Sequence, residues 1–361
     1  MSARKKSTSF CCDGFRRPSR RVRDCPDPRR GPGRGLCRRP SSQDPKWGHA
    51  SFAARAAAQS IGDQNMKVGF IGLGRMGFAL ASNLLRNRVD LVVLDIQPDP
   101  VEKLVAQGAT RAANAGDLAG QVDVVFTMLP GPKQAREVIL GPEGVLAGLA
   151  PGKVLVELST IDTETVDDLY RAAKAKGVRF ADAPVGRLAA HADRGESLFM
   201  LGASANDHIA LEPLLLKMGS TVLHCGEPGS GTRMKLINNL MVLCYCQLNS
   251  EALVLAKALG MDVQKTFDVL TGTTASNGQL KEKWPAKVLK GDLSPGFDIA
   301  LGFKDLTLAC QAAQAVAVSL PVGNLVRNIF QLARHAGKDG QDTSSLTDYW
   351  AQANGVEPVR L

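Results

Sequence analysis

The chain has 361 residues, 44% hydrophobic and 22% charged, with 44 lysines and arginines against 35 acids and a formal net charge of +9. No uninterrupted run of 18 apolar residues marks a membrane span, and the length is enough for two domains with sizeable cores. The charge is uneven: residues 1–65 hold 15 Lys or Arg against 5 Asp or Glu, whereas residues 66–361 hold 29 against 30, so the body is near neutral and the basic balance is no argument for a nucleic-acid partner.

Residues 1–65 carry Cys11, Cys12, Cys25 and Cys37 amid Pro, Gly and Arg, without a sustained apolar period, and are expected to be disordered in isolation. Two readings of this extension stay open. One is an organellar targeting segment, which its Pro/Gly breaks and acids fit poorly; the other is a false upstream start, with the chain proper beginning at Met66. No secretory signal precedes the body, so the cytoplasm is the expected location. Cys225, Cys244, Cys246 and Cys310 in the body are expected to be buried thiols rather than a disulfide framework.

Ordered structure is expected from the run Met66-Lys-Val-Gly-Phe-Ile-Gly-Leu-Gly-Arg-Met-Gly77. Val68, Phe70 and Ile71 supply a buried strand. Gly72 permits the tight turn, Gly74 lets a pyrophosphate approach the backbone, and Gly77 lets the next helix sit close to the sheet. The helix amino end then faces the phosphates. A second strand, Asp90-Leu-Val-Val-Leu-Asp95, ends in an acid 18 residues beyond Gly77. A carboxylate there accepts ribose hydroxyls and repels a 2'-phosphate, which favours NAD over NADP. Arg75 faces the same region, touching either phosphate or only water.

Further strands are expected at Val122 to Met128, Lys153 to Leu158 and Val178 to Asp182, with helical connections, which predicts a mostly parallel sheet with ligands at the strands' carboxyl ends. Pro130, Ser159 and Thr160 fall there, as cleft lining or as loop geometry and helix caps. Past Gly226-Glu-Pro-Gly-Ser-Gly231, the periodic stretch Met234 to Leu259 predicts a long central helix in a second, all-helical domain, followed by helices at Val263 to Leu270, Asp305 to Ala317 and Val322 to Ala336. The fold class expected is thus α/β, with an N-terminal Rossmann-type parallel sheet domain over residues 66–229, a helical substrate and oligomerisation domain over 230–350, and a tail over 351–361.

Lys235, Asn238 and Asn239 share one face near the start of the long helix, where an ammonium and two amides can converge on a substrate. Reduction of an aldehyde needs a donor at the nascent alkoxide, which Lys235 can supply. His191, His208, His224 and His335 are dispersed and specify no metal site. Asp193 and Glu196 can orient the loop at Arg187 or merely be solvated, and Trp284 and Phe297 suit an apolar cleft wall or core packing.

Four blocks in order, Phe70 through Gly77, Asp182-Ala-Pro-Val185, Gly231 through Asn239 and Lys304-Asp305, resemble the beta-hydroxyacid dehydrogenases from Met66 to about Trp350. The resemblance implies an NAD-dependent oxidoreductase in which Lys235 is proton donor and alkoxide stabiliser, Asn239 helps orient substrate, Lys304 lies near the cleft and Asp305 fixes its helix. The cofactor is then expected along Gly72, Leu73, Gly74, Arg75, Met76 and Gly77, and at Asp95, Leu129, Pro130, Thr160 and Lys304. A homodimer or homotetramer acting on a small anionic aldehyde or hydroxyacid is also implied, with no membrane partner.

One departure concerns the substrate. Many members follow the Asp-Ala-Pro-Val block with Ser-Gly-Gly, whereas this chain has Gly186-Arg187-Leu188. The guanidinium of Arg187 suits an anion. This variant resembles family members that reduce 3-sulfolactaldehyde to 2,3-dihydroxypropane-1-sulfonate, which implies a sulfonate held by Gly186, Arg187 and Asn238. Val242 stands where such members offer a small hydroxyl residue, and guanidinium binds carboxylate as readily as sulfonate, so succinic semialdehyde and related short acid aldehydes stay open. Imine reduction and a nonenzymatic NAD-binding regulator are the other classes weighed against the lysine helix.

Overall fold

The computed structural model describes residues 66–361; the expectations for residues 1–65 lie outside the described residues. β1 (Lys67–Ile71) is an apolar run buried on both faces, as a central parallel strand must be. Around it the chain alternates α1 (Arg75–Arg86), β2 (Asp90–Leu94), α2 (Pro98–Val105), β3 (Thr110–Arg111), α3 (Ala115–Gly120), β4 (Val124–Thr127), α4 (Pro132–Leu140), α5 (Val145–Gly148), β5 (Val154–Glu157), α6 (Thr163–Ala175) and β6 (Arg179–Asp182). β1 pairs in parallel with both β2 and β4, and the order β3-β2-β1-β4-β5-β6 reverses direction at that point. The crevice outside the carboxyl ends of β1 and β4 is therefore the place for a ligand.

Beyond β6 the parallel pattern stops. Pro184, which has no N–H, separates β6 from β7 (Val185–Gly186), and α7 (Ala189–Asp193) is too short to carry a crossover, so β8 (Ser197–Gly202) returns antiparallel to both. α8 (Ala205–Leu215) then leads to β9 (Gly219–Gly226), parallel to β8. One apolar cluster, around Phe70, Phe126 and Phe199, and a second, around Leu118, Leu155 and Phe180, hold the layers together.

The rest is helical. α9 (Ser230–Ala258) starts four residues before the apolar period begins, because its first turn is seated by polar contacts. By length and composition alone α9 could cross a membrane. It is instead the core helix against which α10 (Val263–Gly272), α12 (Ile299–Ala315), α13 (Pro321–His335) and α14 (Leu346–Ala353) assemble; a π-turn at Gln279–Lys283 leads into the short α11 (Trp284–Ala286). α12 begins six residues earlier than its apolar pattern indicates, since the Asp298 side chain caps it at Leu301 N, and Lys304 and Asp305 consequently lie inside the helix. After α14 the chain stays docked: Val359 is buried, Arg360 pairs with Asp348 through two bonds of 2.7 Å, and Leu361 N donates to Leu289 O.

Trp284 packs in the third core, among Leu243, Leu306 and Phe330, and its Nε1 donates to Thr347 Oγ1 (3.0 Å). It belongs to the core, not to a cleft wall. Trp284→Ala is expected to cost about 3–5 kcal/mol, and Trp284→Phe about 0.5–1.5 kcal/mol for the one lost hydrogen bond, since Thr347 Oγ1 keeps Ser250 Oγ at 3.1 Å, both measured by urea unfolding.

Candidate active site

The three glycines of the β1–α1 turn differ in what they accommodate. At Gly72 φ is +94° and a Cβ would sit 2.2 Å from Met128 O; at Gly77 it would sit 2.0 Å from Gly72 O. Both are close approaches of backbone to backbone. A Cβ on Gly74 would meet no protein atom within 4 Å, so that glycine keeps open space rather than a contact. α1 has no side-chain cap at Gly74, which leaves its first amides, at Arg75, Met76 and Gly77, aimed at that space. The Leu73 side chain is buried, and its N–H donates to Asp95 Oδ2 (2.5 Å), while Gln97 N donates to Oδ1 (2.7 Å). The turn and the acid at the end of β2 thus form one unit, with the remaining lone pairs of Asp95 for hydroxyls. This cradle fits a dinucleotide. Arg75 is committed elsewhere: it makes a two-bond ion pair with Asp193 on α7 (2.7 and 2.5 Å).

On the neighbouring strands, Glu157 at the end of β5 accepts from Ser159 N (2.7 Å) and pairs with Thr127 Oγ1 (2.6 Å). Ser159 Oγ in turn accepts from Leu129 N (2.7 Å), which fixes the Leu129-Pro130 loop over the crevice. Lys304 reaches across from α12 to donate to Thr160 O (2.7 Å), its stem lying beside Gly131. The sequence-expected residues Leu129, Pro130, Thr160 and Lys304 are in this way brought together.

Lys235 lies in the second turn of α9, half-buried, and donates from Nζ to Val185 O (2.7 Å). Burial holds its pKa below the usual lysine value of 10.5; Asp305 opposes that shift and Lys304 adds to it. Asn239 Nδ2 donates to the buried Asp305 Oδ2 (2.6 Å), and Asn238 Nδ2 to Asn239 Oδ1 (3.0 Å). Asn239 is therefore spent on locking Asp305, and Asn238 is the amide at the edge. Arg187, at φ +71°, turns outward: its guanidinium donates to Glu196 O (2.6 Å), Ser220 Oγ (2.9 Å) and Thr221 Oγ1 (3.3 Å). The structure ties Arg187 to the starts of β8 and β9 rather than to Lys235, although Gly186 and Val185 join the two along β7.

Against this geometry, the comparisons with known proteins agree. Residues 67–226 match the NAD-binding domain of 6-phosphogluconate dehydrogenase, and residues 229–350 match the NAD-binding family model of NADP-dependent 3-hydroxyisobutyrate dehydrogenase. A 3-sulfolactaldehyde reductase of Escherichia coli (strain K12) is 40% identical over 281 residues, 78% of this chain and 94% of the relative. The 3-hydroxyisobutyrate dehydrogenase of Mycobacterium tuberculosis, solved with L-serine, superimposes with a TM-score of 0.73 at 29% identity, covering 79% of this chain and 99% of that one. The chain belongs to the 3-hydroxyisobutyrate dehydrogenase-like family of beta-hydroxyacid dehydrogenases.

A dehydrogenase of this family takes a nicotinamide cofactor, and the described residues offer it the Gly74 cradle, Asp95 and the Leu129 loop. Two buried acids of this dehydrogenase were given no role by the sequence. Glu157 and Asp182 are register partners across β5 and β6, and both are buried. Burial pushes Glu157 up to about 7, against the bonds from Ser159 and Thr127 and with the repulsion of Asp182 behind it; burial likewise pushes Asp182 up to about 6. Their signal in the sequence was an acid closing an apolar strand.

The folded protein holds these protons more tightly than the unfolded chain, so stability falls as pH rises from the unfolded carboxyl values towards 7. Glu157→Gln keeps the acceptor for Ser159 N and removes the charge. It is expected to flatten the decline of Tm between pH 5 and 8 and to stabilise at pH 8 by up to about 3 kcal/mol, checked by calorimetry across that range.

Proposed function

We propose that the protein is an NAD-dependent reductase of small anionic aldehydes, with 3-sulfolactaldehyde as substrate and 2,3-dihydroxypropane-1-sulfonate as product. The observation that carries the reading is the half-buried ammonium of Lys235 held on Val185 O, two residues before an arginine with no acid bonded to it. The partners of Arg187 are a carbonyl and two hydroxyls, so a substrate anion can take their place without an ion pair being broken. Gly186 and Asn238 complete the anion end, and the 40% identity to a 3-sulfolactaldehyde reductase supports the choice.

When bound, the nicotinamide supplies the hydride equivalent for the carbonyl carbon. Lys235 hydrogen-bonds the aldehyde oxygen, stabilises the charge that grows there and passes it a proton. The Val185 carbonyl keeps the amine oriented while another of its protons moves, and Asp305, locked by Asn239, favours the charged form. Asp95 selects NAD, since a carboxylate held by two backbone amides at the end of β2 would accept the ribose hydroxyls and repel a 2'-phosphate.

A carboxylate substrate, either succinic semialdehyde reduced to 4-hydroxybutyrate or a short 3-hydroxyacid, is the second reading. It is favoured by Val242, which offers no hydroxyl to a third sulfonate oxygen, and by the 32% identity to a 2-(hydroxymethyl)glutarate dehydrogenase of Eubacterium barkeri over 81% of this chain and 98% of that protein. We also read the protein as a homodimer or homotetramer. Ile237, Met241, Leu248 and Leu255 form an exposed apolar line on α9, and Leu325 and Leu332 another on α13.

Matched steady-state assays with NADH and NADPH decide the substrate. The sulfonated aldehyde is expected to show the higher kcat/KM with NADH, Arg187→Ala to abolish that preference, and Lys235→Ala to lower kcat by about 10²–10⁴-fold. Preference for succinic semialdehyde would make Arg187 a carboxylate clamp. With pH, reduction is expected to fall along a limb below 10.5, where Lys235 loses its proton, while alcohol oxidation rises. Sedimentation should give a mass of two or four chains, reduced by Leu248→Glu with Leu255→Glu; a monomeric wild type would refute the oligomer.

A further inference from the structure

The lysine that the proposed chemistry depends on sits on a helix whose start is held in an uncommon way. α9 has Gly229 ahead of it at φ +92° and no conventional side-chain cap from its own N-terminal residue. Its first amides are taken instead by a residue from the sheet, 47 and 50 positions earlier in the chain. Gly229 N donates to Asp182 Oδ1 (2.6 Å) and Thr232 N to Asp182 Oδ2 (2.5 Å). Asp182 is fully buried, so its charge is not solvated by water but by these amides and the positive end of a 29-residue helix.

The approach is close enough to be sterically exclusive. A Cβ on Gly231 would fall 2.2 Å from Met200 O and 2.6 Å from Asp182 O, and one on Gly202 would fall 2.7 Å from Gly231 N. The helix start thus rests on the backbones of β6 and β8, with the Asp182 carboxylate beside it. Three residues past Asp182, on the same segment, Val185 O receives the Lys235 ammonium (2.7 Å). One short stretch of chain grips α9 twice: by a carboxylate at its first turn and by a carbonyl at the lysine.

We infer that Asp182 is the positioning residue for Lys235: its carboxylate fixes the height and rotation of α9, and thereby keeps the ammonium on Val185 O at the mouth of the crevice. This rests on the reading of Lys235 as proton donor. Asp182 touches neither cofactor nor substrate in this assignment, and acts only through the helix. The surrounding charges do not substitute for it: Arg233 on α9 is engaged by Asp167 of α6 (2.8 Å), and Glu157 on β5 is an acid itself.

Three measurements test it. In the wild-type protein, amide hydrogen exchange at Gly229 and Thr232 should be as slow as in the interior of α9, although first-turn amides of a helix normally lack an acceptor; fast exchange at both overturns the anchor without any variant. In Asp182→Asn, trace acetylation by acetic anhydride, read by peptide mass spectrometry relative to the exposed Lys133, should rise several-fold at Lys235. Unchanged labelling overturns the inference. Kinetically, Asp182→Asn should lower kcat by about 10–100-fold with little change in NADH affinity by fluorescence titration, and Asp182→Asn combined with Lys235→Ala should be no worse than Lys235→Ala alone. Multiplying effects would mean that Asp182 acts independently of the lysine. If Lys235→Ala retains full activity, the proton-donor reading fails, while exchange and labelling still decide whether Asp182 holds the lysine in place.

Discussion

The cleft depends on two carboxylates buried side by side where β5 and β6 end. Each is tolerable only because polar hydrogens meet it: a hydroxyl and an amide at Glu157, two helix amides at Asp182. Without such partners a buried carboxylate takes up a proton or disrupts the fold. Through those partners the pair holds both walls. Glu157 fixes Ser159, and Ser159 fixes the Leu129 loop on the cofactor side. Asp182 fixes α9 on the lysine side. The two walls are thus referred to paired residues on adjacent strands of one sheet.

The cost of this arrangement falls on stability and its return on precision. Burial disfavours the ionised form of both acids, and at Glu157 the neighbouring charge of Asp182 adds to it, which is why both are held above the ordinary carboxyl range. An apolar pair would pack with less penalty, but would leave the first turn of α9 and the Ser159 amide without acceptors. The same logic extends to Asp305, whose buried carboxylate is met by Asn239 and by Lys304 at 3.1 Å. All three acids lie at element ends or helix turns that face the crevice.

What could be read in the sequence was what local sterics demand. Gly72, Gly74 and Gly77 were legible because a turn, an approach and a packing contact each require a missing side chain within a dozen residues. The strands followed from apolar runs, though their ends came out one or two residues shorter at β4 and β5, where the backbone leaves the ladder for the loops. The starts of α9 and α12 were misread because polar capping, not apolar periodicity, defines them. Arg187 was legible as a cation but not as a direction, since its orientation depends on Ser220 and Thr221 across a strand pairing that the sequence did not reveal. The role of Asp182 needed its amide partners, and nothing in the pattern joins residue 182 to residue 232.

The electrostatics of the cleft also bear on which aldehydes it suits. Lys235 and Lys304 repel each other and burial weakens the proton on Lys235, so the donor is charged least securely when the crevice is empty. A substrate anion bound nearby reverses part of that shift, because an opposite charge favours the ammonium. By linkage the protonated donor then favours the anion in equal measure. A neutral aldehyde of the same length gains neither effect and meets a less fully protonated lysine. On the proposed reading, discrimination against uncharged aldehydes therefore arises at Lys235 as well as at Arg187, and it grows as the pH approaches the depressed lysine value.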